Sequence, residues 1–197
     1  MSIAAYLSNL LNSSGLVPVT KLNISGTPTG AKFLRDDASW VAPITSGTSV
    51  ASTSGTSIDF TSIPSGVKRI TLMFNGVSTN GTSPIMVQIG SGSFTTSGYA
   101  SSASNLASST LATGLFTTGL TLMNSTSATS LWSGFVILTN ITGNTWLSSG
   151  NIGRSDAAVV ASSGGGLALS GALDRIRFTT VGGTDTFDAG SINIMYE

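Results

Sequence analysis

Lys68-Arg69-Ile70-Thr71-Leu72-Met73-Phe74-Asn75-Gly76-Val77 is the stretch that decides the fold class. Ile70, Leu72 and Phe74 occupy every second position, with Arg69, Thr71, Met73 and Asn75 between them. A period of two puts the first set on one side of an extended chain and the second set on the other. That is the pattern of a strand with one face on a core; a helix would scatter the same residues around its axis.

The reading extends both ways. Upstream, Ile58 and Phe60 alternate before the turn Ile63-Pro64-Ser65-Gly66. Downstream, Ile85, Val87 and Ile89 alternate again. Trp132 to Ile141 is apolar on both faces, as a central strand would be. Asn144 to Ser149 reads as its hairpin partner across Thr142-Gly143. Leu167 to Ser170 follows, then Leu173 to Val181 with Ile176 and Phe178 inward and Arg175 and Arg177 outward. Ser191 to Tyr196 closes the series with Ile192, Ile194 and Tyr196 in phase. Regularly spaced strands without helical patterns between them predict an all-β fold, an antiparallel β-sandwich or jelly roll over residues 57–197. Within it, the Ser/Thr/Ala-rich stretch 91–130 reads as long loops or edge strands. Gly164-Gly165-Gly166 reads as a flexible loop.

Before Ser57 the pattern changes. Over residues 2–14, Ile3, Leu7, Leu10 and Leu11 recur at helical spacing, Ser2 can cap, and Asn12-Ser13-Ser14-Gly15 ends the run. A helix this short is marginal alone, so it is expected to pack or dock against something. Residues 16–56, rich in Gly, Thr, Ser and Pro, read as an extended connector. The chain therefore divides into 1–56 and 57–197.

Composition narrows the function classes. Only 8% of the 197 residues are charged, and eight basic residues cancel eight acidic ones. No field attracts phosphates, so nucleic acid is not an expected partner. There is no Cys to form disulfides and no His to act as general base or metal ligand. No apolar run reaches the length of a membrane span, and no basic region precedes the first cation, Lys21, so neither membrane insertion nor a secretory signal is expected.

The acids are Asp36, Asp37, Asp59, Asp156, Asp174, Asp185, Asp188 and Glu197. Asp36 and Asp37 are adjacent in the connector, where neighbouring side chains of an extended segment diverge. Asp185 and Asp188 flank a turn beside Gly182-Gly183, where Asp commonly accepts backbone N–H groups. A Ser nucleophile would need a base other than His, and Lys68 on a strand reads as a solvated or interface charge. The expectation is a protein without catalytic residues, metal or cofactor. Five Asn-x-Ser/Thr sequons, at Asn12, Asn23, Asn80, Asn124 and Asn140, are what chance gives in a chain this rich in Ser and Thr. Binding fits the composition better, since glycans are held by exposed aromatic faces among uncharged hydrogen-bonding groups. Tyr99, Trp132 and Trp146 are the receptor-contact candidates. Met73, Met86 and Met195 fall on the nominally polar phase of their strands, as expected of a face that a neighbouring protomer covers.

Three segments carry a family resemblance. SGTSIDFTSIPSGVKRITLMFNGVSTNGTSPIMVQIGSG, residues 54–92, resembles the opening of a C-terminal domain of bacteriophage tail fibre proteins. RIRFTTVGGTDTFDAGSINIMYE, residues 175–197, resembles that domain's close, and GTPTGAKFLRDDASW, residues 26–40, is similar to a linker preceding such domains. The resemblance implies a homotrimeric virion protein, assembled in the host cytoplasm, that binds a host cell-surface glycan. Ile3, Leu7, Leu10 and Leu11 would then attach it to another virion protein. The segment before Ser57 is short for a fibre shaft, which leaves a capsid or neck fibre as the alternative. A polysaccharide depolymerase is the third reading, disfavoured by the sparse acids.

Overall fold

The structure is a computed structural model that describes residues 44–197 together with Phe33–Leu34 and Trp40–Val41. The helix expected over residues 2–14, with Ile3, Leu7, Leu10 and Leu11, lies outside the described residues.

The chain forms two compact units, Met1–Thr45 and Ser46–Glu197. In the first, β1 (Phe33–Leu34) pairs antiparallel with β2 (Trp40–Val41), Phe33 opposite Val41. In the second, every ladder with a defined register is antiparallel, and no helix occurs among the described residues. The all-β expectation holds. The boundary moves, because β4 (Val50–Ala51) pairs with the last strand of the chain and the compact unit starts at Ser46, before Ser57.

The larger sheet has nine strands. From one edge they run β10 (Thr110–Phe116), β9 (Ala100–Ala107), β14 (Val159–Ala168), β13 (Thr145–Arg154), β12 (Trp132–Thr142), β6 (Arg69–Thr79), β16 (Phe187–Tyr196) and β3 (Thr45–Ser46), with β4 also on β16. The smaller sheet runs β11 (Leu120–Thr121), β7 (Ile85–Ser91), β15 (Arg175–Thr180) and β5 (Ser57–Thr61), with β8 (Ser93–Phe94) also on β7.

Period-two patterning works as the sequence requires. Ile70, Leu72 and Phe74 of β6 are buried, as are Ile192 and Ile194 of β16, Ile176 and Phe178 of β15, and Ile58 of β5. Side chains of both sheets contribute to one hydrophobic core. Phe74 of the larger sheet meets Phe178 of the smaller edge to face, ring centroids 5.4 Å apart. Such a pair adds about 0.5–1.5 kcal/mol beyond its buried area. The expected hairpin forms between β12 and β13, and the Asn140 side-chain amide clasps it by donating to the carbonyls of Gly143 and Thr145.

One local expectation changes, and one is settled in favour of edge strands. Gly164-Gly165-Gly166 is the middle of β14, paired on both sides, rather than a loop. A Cβ on Gly165 would lie 2.6 Å from the Ala100 carbonyl oxygen and 2.9 Å from the Ser101 Cα, so glycine permits the close seat of β9 on β14. The stretch 91–130 contributes β9 and β10, which form the far edge of the larger sheet.

Candidate functional site: the outer face of the larger sheet

The aromatic candidates lead inward. Tyr99 is 3% exposed, Trp132 1% and Trp146 3%, so none presents a ring face to a ligand as the sequence reading expected. Each is held where its polar atom is satisfied or its ring is packed. Trp132 donates from Nε1 to Thr126 Oγ1 at 3.0 Å, and Trp146 belongs to the core shared by the two sheets. The Tyr99 hydroxyl accepts the Ile89 N–H at 2.8 Å and reaches the Thr95 carbonyl at 2.9 Å.

The methionines divide. Met73 stands opposite Asn193 on the neighbouring strand and Met195 opposite Thr71, both half-buried on the outer side of the larger sheet. Met86 belongs to the smaller sheet and is 3% exposed, with Thr118 Oγ1 3.7 Å from its sulfur. Its own chain covers it, so it cannot join the other two in one interface patch.

A different face emerges from the register. One row across the larger sheet reads Met195, Thr71, Ile137, Ser149, Gly164, Ser102, Leu115. The next reads Asn193, Met73, Phe135, Asn151, Ser162, Ser104, Thr113. A third, at the β10 end, reads Gly153, Val160, Leu106, Leu111. None of these rows contains a charged residue. At about 4.8 Å per strand, the longer rows span roughly 29 Å.

The relief of this face is uneven. Leu115 is 86% exposed and Leu111 66%, and Leu106, Val160, Phe135 and Leu147 are exposed as well. Between the leucines and Phe135 lies a trough of about 320 Å³ lined by Ser102, Ser104, Thr113, Ser162 and Gly164. Its width comes from composition, because Ser and Gly occupy positions where larger side chains would fill it. The edge strand β10, TLATGLF, has none of the Lys, Pro or inward charges that protect exposed strand edges from pairing. Sequence reasoning missed Leu111 and Leu115 because the Thr, Ala and Gly around them weaken the strand signal. Their spacing of four, in phase with Thr113, was the available clue.

Apart from Asp188, the described acids have local partners. Asp59 holds Arg177 through two hydrogen bonds of 2.8 and 2.7 Å. Asp174 holds Arg175 and accepts the Gly92 N–H, and the guanidinium keeps its carboxyl below the usual range. Asp156 pairs with Arg154 and accepts the Leu131 N–H, which lowers its pKa to about 2. Asp185 accepts the Ser83 N–H at 2.8 Å. Among the described residues no three His, Cys, Asp or Glu side chains gather as metal ligands.

The chain matches no protein-family model, no curated protein and no solved structure.

Proposed function

We propose that this protein is a structural, non-enzymatic component of a phage virion appendage, of the tail-fibre kind, that assembles as a homotrimer and holds a host-surface glycan. On this reading the unit that starts at Ser46 is a β-sandwich of jelly-roll type. The observation that carries the proposal is the set of three adjacent rows on the outer face of the larger sheet that are free of charge and studded with apolar side chains. A soluble protein rarely leaves such a patch uncovered.

Relief on that face supports self-assembly, since a ridge beside a trough closes a twofold pair reciprocally or a ring of three head to tail; the threefold choice comes from the tail-fibre resemblance. Here the leucine ridge of Leu106, Leu111 and Leu115 and the adjacent Ser/Gly trough are such a pair. The ridge of one copy would seat on the trough side of the next, burying Phe135 and Met73 as well. The local pairing of Asp59, Asp156 and Asp174 with arginines favours a non-enzymatic role, since these carboxylates hold the fold. Attachment through Ile3, Leu7, Leu10 and Leu11 rests on the sequence pattern.

Antibody against residues 57–197, gold-labelled and imaged on particles purified from producing cells, tests the placement. Label on tail appendages is the expected result, label on capsid or neck would support the alternative, and particles without label would contradict virion association.

A further inference from the structure

We infer that the outer face of the smaller sheet carries a binding pocket for one neutral sugar unit of the host-surface glycan, centred on Gln88 and Arg177. The inference rests on the glycan-binding part of the proposed function and gives it a place that the buried aromatic residues cannot.

Two rows of the smaller sheet make the floor. Ser57, Thr179 and Met86 stand in register, and beside them Asp59, Arg177 and Gln88. Thr96 and Thr118, on the loops that follow β8 and β10, border an open depression of about 340 Å³ over this floor. That lies within the range of small-ligand sites, about 300–1,000 Å³.

The polar groups are fixed before any ligand arrives. Gln88 is 6% exposed, and its Nε2 donates to the Thr118 carbonyl at 2.9 Å. Its Oε1 accepts no hydrogen bond among the described residues, so the amide offers the cavity an acceptor and a second N–H. Arg177 is locked from two sides: Nε and Nη2 bind Asp59, and the guanidinium lies 4.1 Å from the Phe94 ring centroid. Nη1 remains as a positioned donor. An amide acceptor and two donors held rigidly match the alternating donor and acceptor character of sugar hydroxyls.

Charge selects the ligand class. Arg177 is neutralised by Asp59 and its neighbour Arg175 by Asp174. An anionic ligand would find no uncompensated cation and would meet Asp59 beside the guanidinium. A neutral polyhydroxyl ligand pays no such penalty. Phosphates, sialic acids and uronic acids are disfavoured on the same ground.

Saturation-transfer NMR on the full chain tests the site, with D-glucose, D-galactose, D-mannose, L-rhamnose and N-acetylglucosamine as neutral probes and D-glucuronic acid as the anionic one. At least one neutral sugar should receive saturation. The Gln88→Met variant, isosteric at the floor, and the Thr96→Trp variant, which fills the cavity from its exposed rim, should each weaken that signal about tenfold, the equivalent of one lost set of hydrogen bonds. Transfer to none of the neutral sugars, to glucuronic acid alone, or undiminished in Thr96→Trp overturns the inference. Light scattering on the same samples keeps the two proposals apart. A trimer without sugar binding overturns the pocket alone, whereas a monomer counts against the assembly and leaves the sugar result to be read for itself.

Discussion

The hydroxyl of Tyr99 takes the backbone N–H of Ile89 at 2.8 Å, on the side of β7 away from β15, in the gap between its pairings with β11 and β8. A side chain thus stands in for a ladder partner and pins the 92–99 loop, with the Thr95 N–H returning to the Ile89 carbonyl at 3.0 Å. Tyr99→Phe keeps the ring and strands a buried N–H. The expected loss is about 1–3 kcal/mol in denaturant unfolding, with unchanged strand content. A loss below the error of the measurement would mean that water replaces the hydroxyl.

Alkaline pH probes the same contact. Burial raises the Tyr99 pKa to about 12, from an ordinary value of 10.0. The folded form then binds its proton more tightly than the unfolded chain. That contribution is complete below pH 10.0 and is lost as pH rises towards about 12. Stability of the native chain should fall across this window by about 2–3 kcal/mol more than that of Tyr99→Phe. Parallel pH curves for the two proteins would show that Tyr99 titrates normally.

At the acid end the sign reverses. The hydrogen bond from Arg154 holds the Asp156 carboxyl at about 2, below its ordinary 3.8. Its contribution is present above 3.8 and disappears as pH falls through about 2. NMR titration of the Asp156 side-chain carboxyl should show this low midpoint, and Arg154→Gln should return it to the ordinary range. An unchanged midpoint in that variant would assign the effect to the Leu131 N–H instead.

Adjacent glycines in β14 should respond oppositely to the same substitution. Gly165→Ala puts a methyl 2.6 Å from the Ala100 carbonyl oxygen, whereas the nearest atom to a Cβ on Gly164 is 3.7 Å away. Gly165→Ala should cost about 1–3 kcal/mol and speed amide exchange in β9 and β10. Gly164→Ala should leave both unchanged or slightly improved. Equal effects at the two positions would show that β9 can shift to make room.

How much of this was legible beforehand follows from the residues themselves. Ile70, Leu72 and Phe74 could be placed inward because a long run of strong strand formers alternates without interruption. β9, β10 and the glycine run of β14 were obscured, because Ser, Thr, Ala and Gly carry little hydrophobic contrast and the same letters spell loops. The aromatic residues misled for another reason. A Trp or Tyr can be buried once its polar atom finds a partner, and those partners, Thr126 for Trp132 and Ile89 for Tyr99, are fixed by tertiary structure. Phase alone placed Met73 and Met195 on the polar side of their strands, but their common face required knowing that β16 pairs with β6. The position of Met86 required knowing which sheet β7 joins.

Light scattering on the intact protein tests the assembly most directly. The account predicts a mass of about three times the 19.8 kDa chain. Leu111→Glu combined with Phe135→Glu, both exposed in the single chain, should bring it down to one chain with strand content preserved. A native mass of 19.8 kDa, or a double variant that remains trimeric, would contradict the claim that the charge-free rows on the outer face of the larger sheet join the copies.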